Sequence, residues 1–387
     1  MKITLFVHPK FLGSQSMPRY AKMLAAGMLE RGYEVMVWKP KAFFYRLPLQ
    51  FMKKWLGYID QYIVFPLRVK QELRNSSKDT LFVFTDQALG PWVSLVKNRP
   101  HVIHCHDFLA LNSALGNIPE NPTGITGKIY QNFIRRGFSK GKHFISISKK
   151  TQQDLHELHS DEIKSSVVCY NGLNRSFGVL DTNISRSFLG NYLNIDLSKG
   201  YILHIGGNQY YKNRKGVIEI YNAWRSKSEF TLPLLMIGPK PNGILENLYQ
   251  NSFFKKDIHL ISGLEDEFIN FAYSGACCLL FPSLDEGFGW PIVEAMACGC
   301  PVITTNRAPM NEVVGMANFF LIDRRPFDET IVNKWAIKAS YQITKILNLS
   351  DSERVNCINI ALKSNQRFDA KLFLDEIEKY YLRVLKY

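Results

Sequence analysis

Short apolar runs alternate with helical stretches along most of this 387-residue chain, and this alternation constrains its fold more than any other feature. The first run covers residues 2–8, apolar residues then recur at helical spacing over 17–29, and a second run follows at 33–38. A strand, a helix and a second strand in this order form the unit from which parallel sheets are built. We therefore predict an α/β protein.

The same alternation starts again after a break, which indicates two domains. Further strands are predicted at 80–85, 101–106, 143–148 and 166–171, and then at 201–207, 232–238, 257–263, 277–283 and 301–306. Residues 172–200 are polar and rich in turn-forming residues, so we predict a linker there. A packed helix is predicted at about 371–387, with an apolar face formed by Leu372, Ile377, Tyr380, Tyr381 and Val384.

Composition narrows the class of protein. The chain has no uninterrupted run of about 18 apolar residues, and residues 1–10 are too short and too polar for a secretory signal, so we expect a soluble, cytoplasmic protein. The seven cysteines are odd in number and lack the paired spacing of a zinc site, which favours free thiols in a reducing compartment. No metal site is predicted.

Positive charge is concentrated in the first half of the chain. Residues 1–170 carry 24 Lys and Arg against 12 Asp and Glu, which is +12 of the total +14. This asymmetry suggests that the first half meets a polyanion or an anionic membrane. Residues 39–74 interleave eight basic residues with aromatic ones, so a helix there either docks on anionic lipid or uses its apolar face as core.

Two glutamates flank a glycine-broken loop in the stretch PSLDEGFGWPIVEAMACGCPVI, residues 282–303. Glu286 stands in the loop, and Glu294 is expected in the first turn of a helix that starts at Pro291. Ligands of open α/β sheets collect beyond the carboxyl ends of the strands, where a helix N-terminus attracts phosphate. A diphosphate between two sugars fits such a site, with one glutamate on each sugar. The alternative is a helix-dipole residue and an exposed loop charge.

This stretch resembles the Glu-x7-Glu segment of the family 4 retaining glycosyltransferases, which has a proline-serine, a glutamate, Gly-Phe-Gly, a second glutamate and Ala-Met-Ala-x-Gly-x-Pro-Val. The resemblance covers most of the chain. LGSQSMPRYAKMLAAGMLERGYEV is similar to the family's first loop and helix, and FISISKKTQQDL to the last strand and helix of its first domain. The resemblance implies the GT-B fold, in which two Rossmann-like domains with parallel sheets face each other across a cleft.

The resemblance also implies different binding roles for the two domains. Residues 1–172, with the final helix packed back on them, would bind the acceptor, and residues 173–370 would bind the donor. The implied reaction moves a hexose from a UDP- or GDP-sugar to a glycan or lipid-linked saccharide, with retention and without a cofactor or metal. The chain has no Asp-x-Asp triplet, which agrees with a metal-independent reaction. The implied setting is cell-surface polysaccharide or glycolipid synthesis. From the basic first half of the chain, we expect the first domain to bind a membrane-associated acceptor, which would place the protein peripherally at the cytoplasmic membrane face.

The resemblance assigns site residues in the second domain. Glu286 would bind the sugar and stabilise charge, and Lys212 would neutralise the diphosphate. The family's arginine beside this lysine is absent, and Arg214 and Lys215 are the candidate substitutes. The donor-binding candidates are Gly207, Asn208, Gly287, Phe288, Gly289 and Glu294.

In the first domain, His106 and Asp107 resemble the family's His-Asp pair, whose imidazole would lie near the transferred sugar as a catalytic group. His104 is on the same face of the strand and is expected to be structural. The loop after the first strand carries a single glycine where the family has a glycine-rich loop. Its candidates for contact with acceptor or phosphate are Gly13 and Arg19, on either side of Ser14, Gln15 and Ser16, together with Asp107.

Two other functions remain open from the sequence. A nucleotide-sugar epimerase or a phosphorylase of the same fold would use the same donor site. A membrane- or nucleic-acid-binding module would account for the basic half but not for the glutamate segment, and no nucleic-acid recognition motif is present, so nucleic acid is not an expected partner.

Overall fold

The computed structural model describes residues 1–13, 16–173 and 177–386, and the chain divides into two compact units. Unit 1 comprises Met1–Asn174 together with Ala370–Tyr387, and unit 2 comprises Arg175–Asp369. Each unit is built around its own parallel sheet.

Twelve strands form the two sheets within the described residues. Those of unit 1 are β1 (Lys2–Phe6), β2 (Glu34–Trp38), β3 (Thr80–Phe84), β4 (His101–Cys105), β5 (His143–Ser146) and β6 (Ser165–Val168). Those of unit 2 are β7 (Ile202–Ile205), β8 (Leu234–Ile237), β9 (Ile258–Ile261), β10 (Cys278–Phe281), β11 (Val302–Thr305) and β12 (Leu321–Ile322). The predicted α/β class is confirmed, and β12 is the strand that the sequence pattern missed.

The strands alternate with α-helices, as expected for parallel sheets. In chain order the helices are α1 (Ser16–Glu30), α2 (Lys53–Ile59), α3 (Phe65–Arg74), α4 (Leu109–Leu115), α5 (Ile125–Phe138), α6 (Lys149–Leu158), α7 (Thr182–Leu193), α8 (Arg214–Arg225), α9 (Gly243–Gln250), α10 (Phe268–Gly275), α11 (Trp290–Ala297), α12 (Met310–Val314), α13 (Val332–Leu347), α14 (Asp351–Asn365) and α15 (Ala370–Leu385). A π-helical turn, Asp60–Val64, joins α2 to α3.

The strand order places one crevice in each unit. The order is β2-β1-β3-β4-β5-β6 in unit 1 and β12-β11-β10-β7-β8-β9 in unit 2. In unit 1 the chain passes from β1 to its neighbour β2 and then crosses to β3, on the other side of β1. In unit 2 it passes from β7 to β8 and β9 and then crosses to β10, on the other side of β7. Loops that leave the carboxyl ends of such strand pairs diverge and form the usual ligand crevice of an open α/β sheet.

The C-terminal helix α15 belongs to the core of unit 1. Its residues Ile377 and Tyr381 are fully buried in one apolar cluster with Ile3 and Leu5 of β1. The predicted apolar face is wrong at one position, because Leu372 is exposed. The next two residues, Phe373 and Leu374, take the buried positions, since helical phase is set by the contacts with α1 and the sheet.

The prediction of a linker over 172–200 is wrong for much of its length. This segment contains the 12-residue helix α7, which packs on α10. The side chain of Asp181 caps it by accepting a hydrogen bond from the N–H of Ile184 at 2.8 Å. Tyr192 stacks on Phe268 with ring centroids 4.0 Å apart. Residues 174–176 of the predicted linker lie outside the described residues.

All seven cysteines are free thiols, and six of them are buried. Burial raises the pKa of Cys298 to about 12, so its thiol stays protonated at neutral pH. Within the described ranges, none of the helices combines the length and the hydropathy needed to cross a bilayer. The same ranges contain no group of three or more His, Cys, Asp or Glu side chains placed to hold a metal ion.

Candidate functional site

The crevice of unit 2 is formed by the loops that follow β7 and β10. These strands are neighbours in the sheet, so residues 206–213 and 282–289 meet at its carboxyl edge. The N–H of Leu284 donates to the carbonyl of Tyr211 at 2.7 Å, and the amide of Asn213 donates to the carbonyl of Pro282 at 2.8 Å. The two loops are therefore fixed to each other.

Lys212 and Glu286 form an ion pair in this crevice. Lys212 Nζ lies 2.7 Å from Glu286 Oε1 and 3.0 Å from Oε2, and the hydroxyl of Ser283 lies 2.9 Å from Oε1. The side chains of Lys212 and Glu286 are 15% and 6% exposed. The alternative of an exposed loop charge at Glu286 is thus wrong. Two predicted site residues from different loops converge here, with the lysine as the more accessible partner.

The local backbone explains how Lys212 is positioned. It ends a 3-10 turn, and the next residue, Asn213, adopts the left-handed conformation with φ 49°. Asparagine tolerates that conformation better than most residues. Asn213 Oδ1 also accepts a hydrogen bond from the N–H of Gly216 at 3.2 Å, which caps α8. The sharp change of direction turns Lys212 toward the loop after β10.

The loop after β7 packs on His204 and is hydrogen-bonded to the loop after β8. A Cβ on Gly206 would stand 2.9 Å from Nε2 of the buried His204, so glycine is required there, whereas a Cβ on Gly207 would meet only the flexible side chain of Gln209. The Asn208 amide donates to the carbonyl of Lys240 at 2.6 Å.

The proposed substitutes for the family's arginine have structural contacts instead. Arg214 is buried and donates to Asn208 Oδ1 at 2.5 Å and to the carbonyl of Pro239 at 2.8 Å. Lys215 pairs with Glu329 at 3.0 Å. Of these three neighbouring cations, Lys212 is the one that reaches Glu286.

Helix α11 starts at the edge of the crevice. Its N-cap, Gly289, has φ 103°, which is strained for any other residue, and no side chain caps the helix. The N–H of Ile292 donates to the carbonyl of Gly289 at 3.0 Å and Pro291 has no N–H, so what the helix start offers an anion is the positive end of the helix dipole. The neighbouring Phe288 is buried and packs edge-on against Trp290, with ring centroids 5.4 Å apart. Gly287 and Gly289 thus lie on either side of Phe288, whose buried side chain packs against Trp290.

Glu294 lies one residue further into the helix than predicted. The helix begins at Trp290, so Pro291 is its second residue and Glu294 falls in the second turn. Glu294 Oε2 accepts a hydrogen bond from the hydroxyl of Tyr273 at 2.8 Å, which fixes the carboxylate. The sequence analysis missed Tyr273, because its position on α10 carries no recognisable pattern.

The crevice of unit 1 holds a pair that the sequence analysis also missed. His8 follows β1 and Asp86 follows β3, and His8 Nε2 donates to Asp86 Oδ2 at 2.9 Å. Burial alone would raise the pKa of Asp86, but the hydrogen bond from His8 and the nearby imidazoles of His8 and His106 bring it below its ordinary value. Both residues directly follow strands that flank the crevice, and this placement could have identified them.

The predicted His-Asp pair lies beside this crevice. His106 Nε2 is 2.8 Å from the carbonyl of Thr85, so it carries the hydrogen, and Nδ1 holds the lone pair of the neutral ring. Burial lowers the pKa of His106, against the raising effect of Asp86. Asp107 Oδ1 accepts from the N–H of Leu109 at 3.1 Å, a contact at the start of α4.

His104 has the structural role that we expected. Its Nδ1 lies 2.6 Å from the hydroxyl of Tyr20, and its Nε2 lies 2.7 Å from that of Tyr381, so it links β4 to α1 and α15. Burial lowers its pKa to about 3, so the ring is neutral at pH 7.

The loop after β1 is described only in part. Gly13 has φ 72° and ends a 3-10 turn, and Arg19 is exposed in the first turn of α1. Ser14 and Gln15 lie outside the described residues. The role of Gly13 and Arg19 in acceptor or phosphate binding stays a prediction.

Comparison with known proteins identifies the family. Residues 17–177 match the sequence profile described as Glycosyltransferase Family 4, and residues 188–359 match the profile described as Glycosyl transferases group 1. The chain belongs to the family 4 glycosyltransferases. The two matches together take in both units of this glycosyltransferase family member, including its loops after β7 and β10.

Relatives of this glycosyltransferase family member are described as mannosyltransferases. O-antigen chain mannosyltransferase B of Escherichia coli is 33% identical over 121 residues, which is 31% of this chain and 32% of the relative. O-antigen chain mannosyltransferase RfbU of Salmonella typhimurium is 22% identical over 50% of each chain. The chain thus matches about a third to a half of these two relatives. The alpha-1,3/1,6-mannosyltransferase of Mus musculus is 24% identical over 98% of this chain and 96% of its own.

Solved structures share the architecture of this family 4 member. HepE of Anabaena, in complex with UDP and glucose, has a TM-score of 0.71 and 17% identity over 98% of each chain. WaaG, a glycosyltransferase involved in lipopolysaccharide biosynthesis, has a TM-score of 0.69 and 16% identity over 97% of this chain and 98% of its own. These similarities establish the GT-B fold.

Proposed function

We propose that this protein is a retaining, metal-independent glycosyltransferase that moves a hexose from a nucleotide diphosphate sugar to a glycan or lipid-linked saccharide. The observation that carries the proposal is the Lys212–Glu286 pair in the crevice between β7 and β10 of unit 2. Family membership supports transfer rather than a binding module.

The crevice offers what the reaction needs. When the bond between the sugar carbon and the diphosphate breaks, positive charge develops on the sugar and negative charge on the departing diphosphate. Lys212 and the positive end of the α11 dipole would stabilise the diphosphate, because prearranged positive groups lower the barrier where negative charge develops. Glu286 would bind the sugar and offset its positive charge.

The rest of the donor would lie along α11. Glu294, fixed by Tyr273, would accept hydrogen bonds from the ribose hydroxyls. Gly207 and Gly287 would let the backbone approach the diphosphate closely. Asn208 would act by shaping the loop after β7, since its side chain is hydrogen-bonded to Lys240 in the loop after β8 and to Arg214 of α8.

Unit 1 would bind the acceptor. We assign contact with the transferred sugar to His106, whose neutral ring offers Nδ1 as an acceptor. Gly13, Arg19 and Asp107 would contribute to acceptor or phosphate binding. The basic surface of unit 1 would favour a lipid-linked acceptor at the cytoplasmic face of an anionic membrane.

The names of the relatives favour mannose as the hexose, and polysaccharide or glycolipid synthesis as the setting. The donor base is open between UDP, which HepE binds, and GDP. A thermal-shift panel of GDP-mannose, UDP-glucose, UDP-N-acetylglucosamine and ADP-glucose tests the donor. We expect stabilisation by one donor class, with the same shift in EDTA.

Turnover tests the reaction. With the donor so identified and a panel of mannosides as acceptors, nucleoside diphosphate should be released only when an acceptor is present, and NMR of the product should show the anomeric configuration of the donor. Lys212→Ala and Glu286→Gln should lose activity, whereas Lys227→Gln, which removes an exposed lysine of unit 2, should keep it. Donor turnover without acceptor would favour an epimerase or phosphorylase, and stabilisation by none of the donors would refute the site.

A further inference from the structure

One surface of unit 1 exposes an unusual number of large apolar side chains. Phe51 is 83% exposed and Trp55 58%, and on α5 Ile125 is 77% and Ile129 65% exposed. We call these residues, with Ile63, Leu67 and Phe133, the apolar surface. Proteins that remain monomeric in water rarely expose large contiguous apolar patches, so a surface of this kind normally has an occupant.

The apolar surface is continuous across two helices. Trp55 packs edge-on to Tyr58, and Tyr58 stacks on Tyr130 of α5 with centroids 5.4 Å apart and an interplanar angle of 21°. Further along, Tyr62 packs edge-on to Phe133 at 5.3 Å. Aromatic rings thus join the exposed residues of α2 to those of α5.

The core alternative for residues 39–74 holds for one face of the helical segment. Leu56, Phe65 and Val69 are buried, and the latter two belong to an apolar cluster of unit 1. Trp55 lies on α2 directly before the buried Leu56, yet it remains exposed. Leu67 lies on α3 between the buried Phe65 and Val69 and is exposed as well. The helical segment therefore satisfies its core contacts with one face and leaves the other apolar face uncovered.

A buried carboxylate holds the adjoining loop in place. Asp60 is 1% exposed and accepts hydrogen bonds from the N–H groups of Phe43, Phe44 and Tyr45 at 3.0, 3.0 and 2.9 Å. Lys53 Nζ donates to the carbonyl of Tyr45 at 2.6 Å. The surface is therefore formed before it meets its occupant, which lowers the entropic cost of binding.

The charge around the apolar surface is positive. Helix α5 contains Lys128, Arg135 and Arg136 and no acidic residue. The two acids within residues 39–74 are Asp60, which is buried and bonded, and Glu72, which lies 3.6 Å from Arg68. Exposed aromatic and aliphatic side chains ringed by Lys and Arg match the headgroup region of an anionic bilayer, where apolar groups insert and cations meet lipid phosphates.

We propose that the apolar surface docks unit 1 on an anionic lipid bilayer, with Phe51, Trp55, Ile125 and Ile129 inserted among the headgroups and Lys54 and Lys128 facing lipid phosphates. This deepens the proposed function, on which it rests for the view that the bilayer carries the acceptor. Docking itself requires no sugar transfer, so an experiment can refute membrane docking without refuting the proposed glycosyltransferase activity, and the reverse.

Vesicle co-sedimentation tests the proposal. The full chain should bind vesicles of equal parts phosphatidylcholine and phosphatidylglycerol, and should bind pure phosphatidylcholine far more weakly. Phe51→Ser/Trp55→Ser should weaken binding at least about 100-fold, because each inserted aromatic side chain should contribute about tenfold or more. Lys54→Gln/Lys128→Gln should weaken it about 25-fold, from about fivefold per charge.

Matched variants on unit 2 control for general effects. Phe253→Ser/Phe327→Ser removes two exposed aromatic residues, and Lys199→Gln/Lys227→Gln removes two exposed lysines, so both should bind like the wild type. Unchanged melting temperatures and donor-induced thermal shifts would show that the variants are folded. Wild-type protein left in the supernatant with the anionic vesicles would overturn the proposal. So would undiminished binding of Phe51→Ser/Trp55→Ser, or a dimer in sedimentation velocity that this variant dissociates.

Discussion

Lys212→Ala separates a catalytic role of the ion pair from a purely structural one. The substitution removes the ammonium that lies 2.7 and 3.0 Å from the Glu286 oxygens and leaves the Ser283 hydroxyl, 2.9 Å away, as a neutral partner. Breaking a fully buried pair costs about 3–5 kcal/mol. Because the Lys212 side chain is 15% exposed and partly solvated, we expect about 2–3 kcal/mol. For a unit of this size, that lowers the melting temperature by about 4–12 °C.

The loss of activity should exceed the loss of stability. Removing one group that stabilises developing charge typically lowers kcat by about 100- to 1,000-fold. Glu286→Gln keeps the shape of the side chain and its contact with Ser283 but removes the charge that Lys212→Ala leaves unpaired. The double variant Lys212→Ala/Glu286→Gln should therefore regain most of the melting temperature and remain inactive.

Scanning fluorimetry measures the melting temperature, and initial rates of nucleoside diphosphate release measure the activity, on the same samples. A double variant that regains activity in step with its melting temperature would show that the pair serves folding alone. That result would refute the catalytic role of Lys212, whatever the single variants do.

Three further predictions concern other parts of the molecule. Tyr273→Phe releases Glu294 from its hydrogen bond and should raise KM for the donor about three- to tenfold with kcat little changed, in steady-state assays. His8→Gln should lower the rate of transfer but not the affinity for nucleoside diphosphate measured by calorimetry; equal losses in both would contradict acceptor binding in unit 1. Burial lowers the pKa of His104 and of His204 to about 3, so the unfolded chain binds more protons than the folded chain. Stability should therefore fall by up to about 1.4 kcal/mol per pH unit for each of them as pH drops from about 6.5 to 3, and in denaturant titrations His104→Gln should reduce the slope by up to about 1.4 kcal/mol per pH unit.

Most of the strands could be predicted because buried parallel strands appear in the sequence as short apolar runs. The two-residue strand β12 is too short to produce such a run. Helix α7 was missed for a different reason, since the contacts of Phe188 and Tyr192 with α10 appear only after folding. The position of Glu294 in α11 was off by one residue because Pro291 was taken as the first residue of the helix.

The site could be predicted as a set of residues but not as an arrangement. The family resemblance singled out Glu286 and, in a separate stretch, Lys212, yet their contact depends on β7 and β10 being neighbours although 74 residues separate the pair. His8 and Asp86 are 78 residues apart and stand in no motif, so only strand order brings them together. The apolar surface likewise requires the stacking of Tyr58 on α5.

Hydrogen–deuterium exchange with the stabilising nucleotide sugar tests whether the donor binds in the crevice of Lys212 and Glu286, because it locates the donor on the chain. If the donor binds there, exchange should slow in peptides that cover residues 204–216 and 282–298, and Lys212→Ala should lose that protection at the same donor concentration. Protection confined to other segments, with these two loops unchanged under saturating donor, would contradict the account.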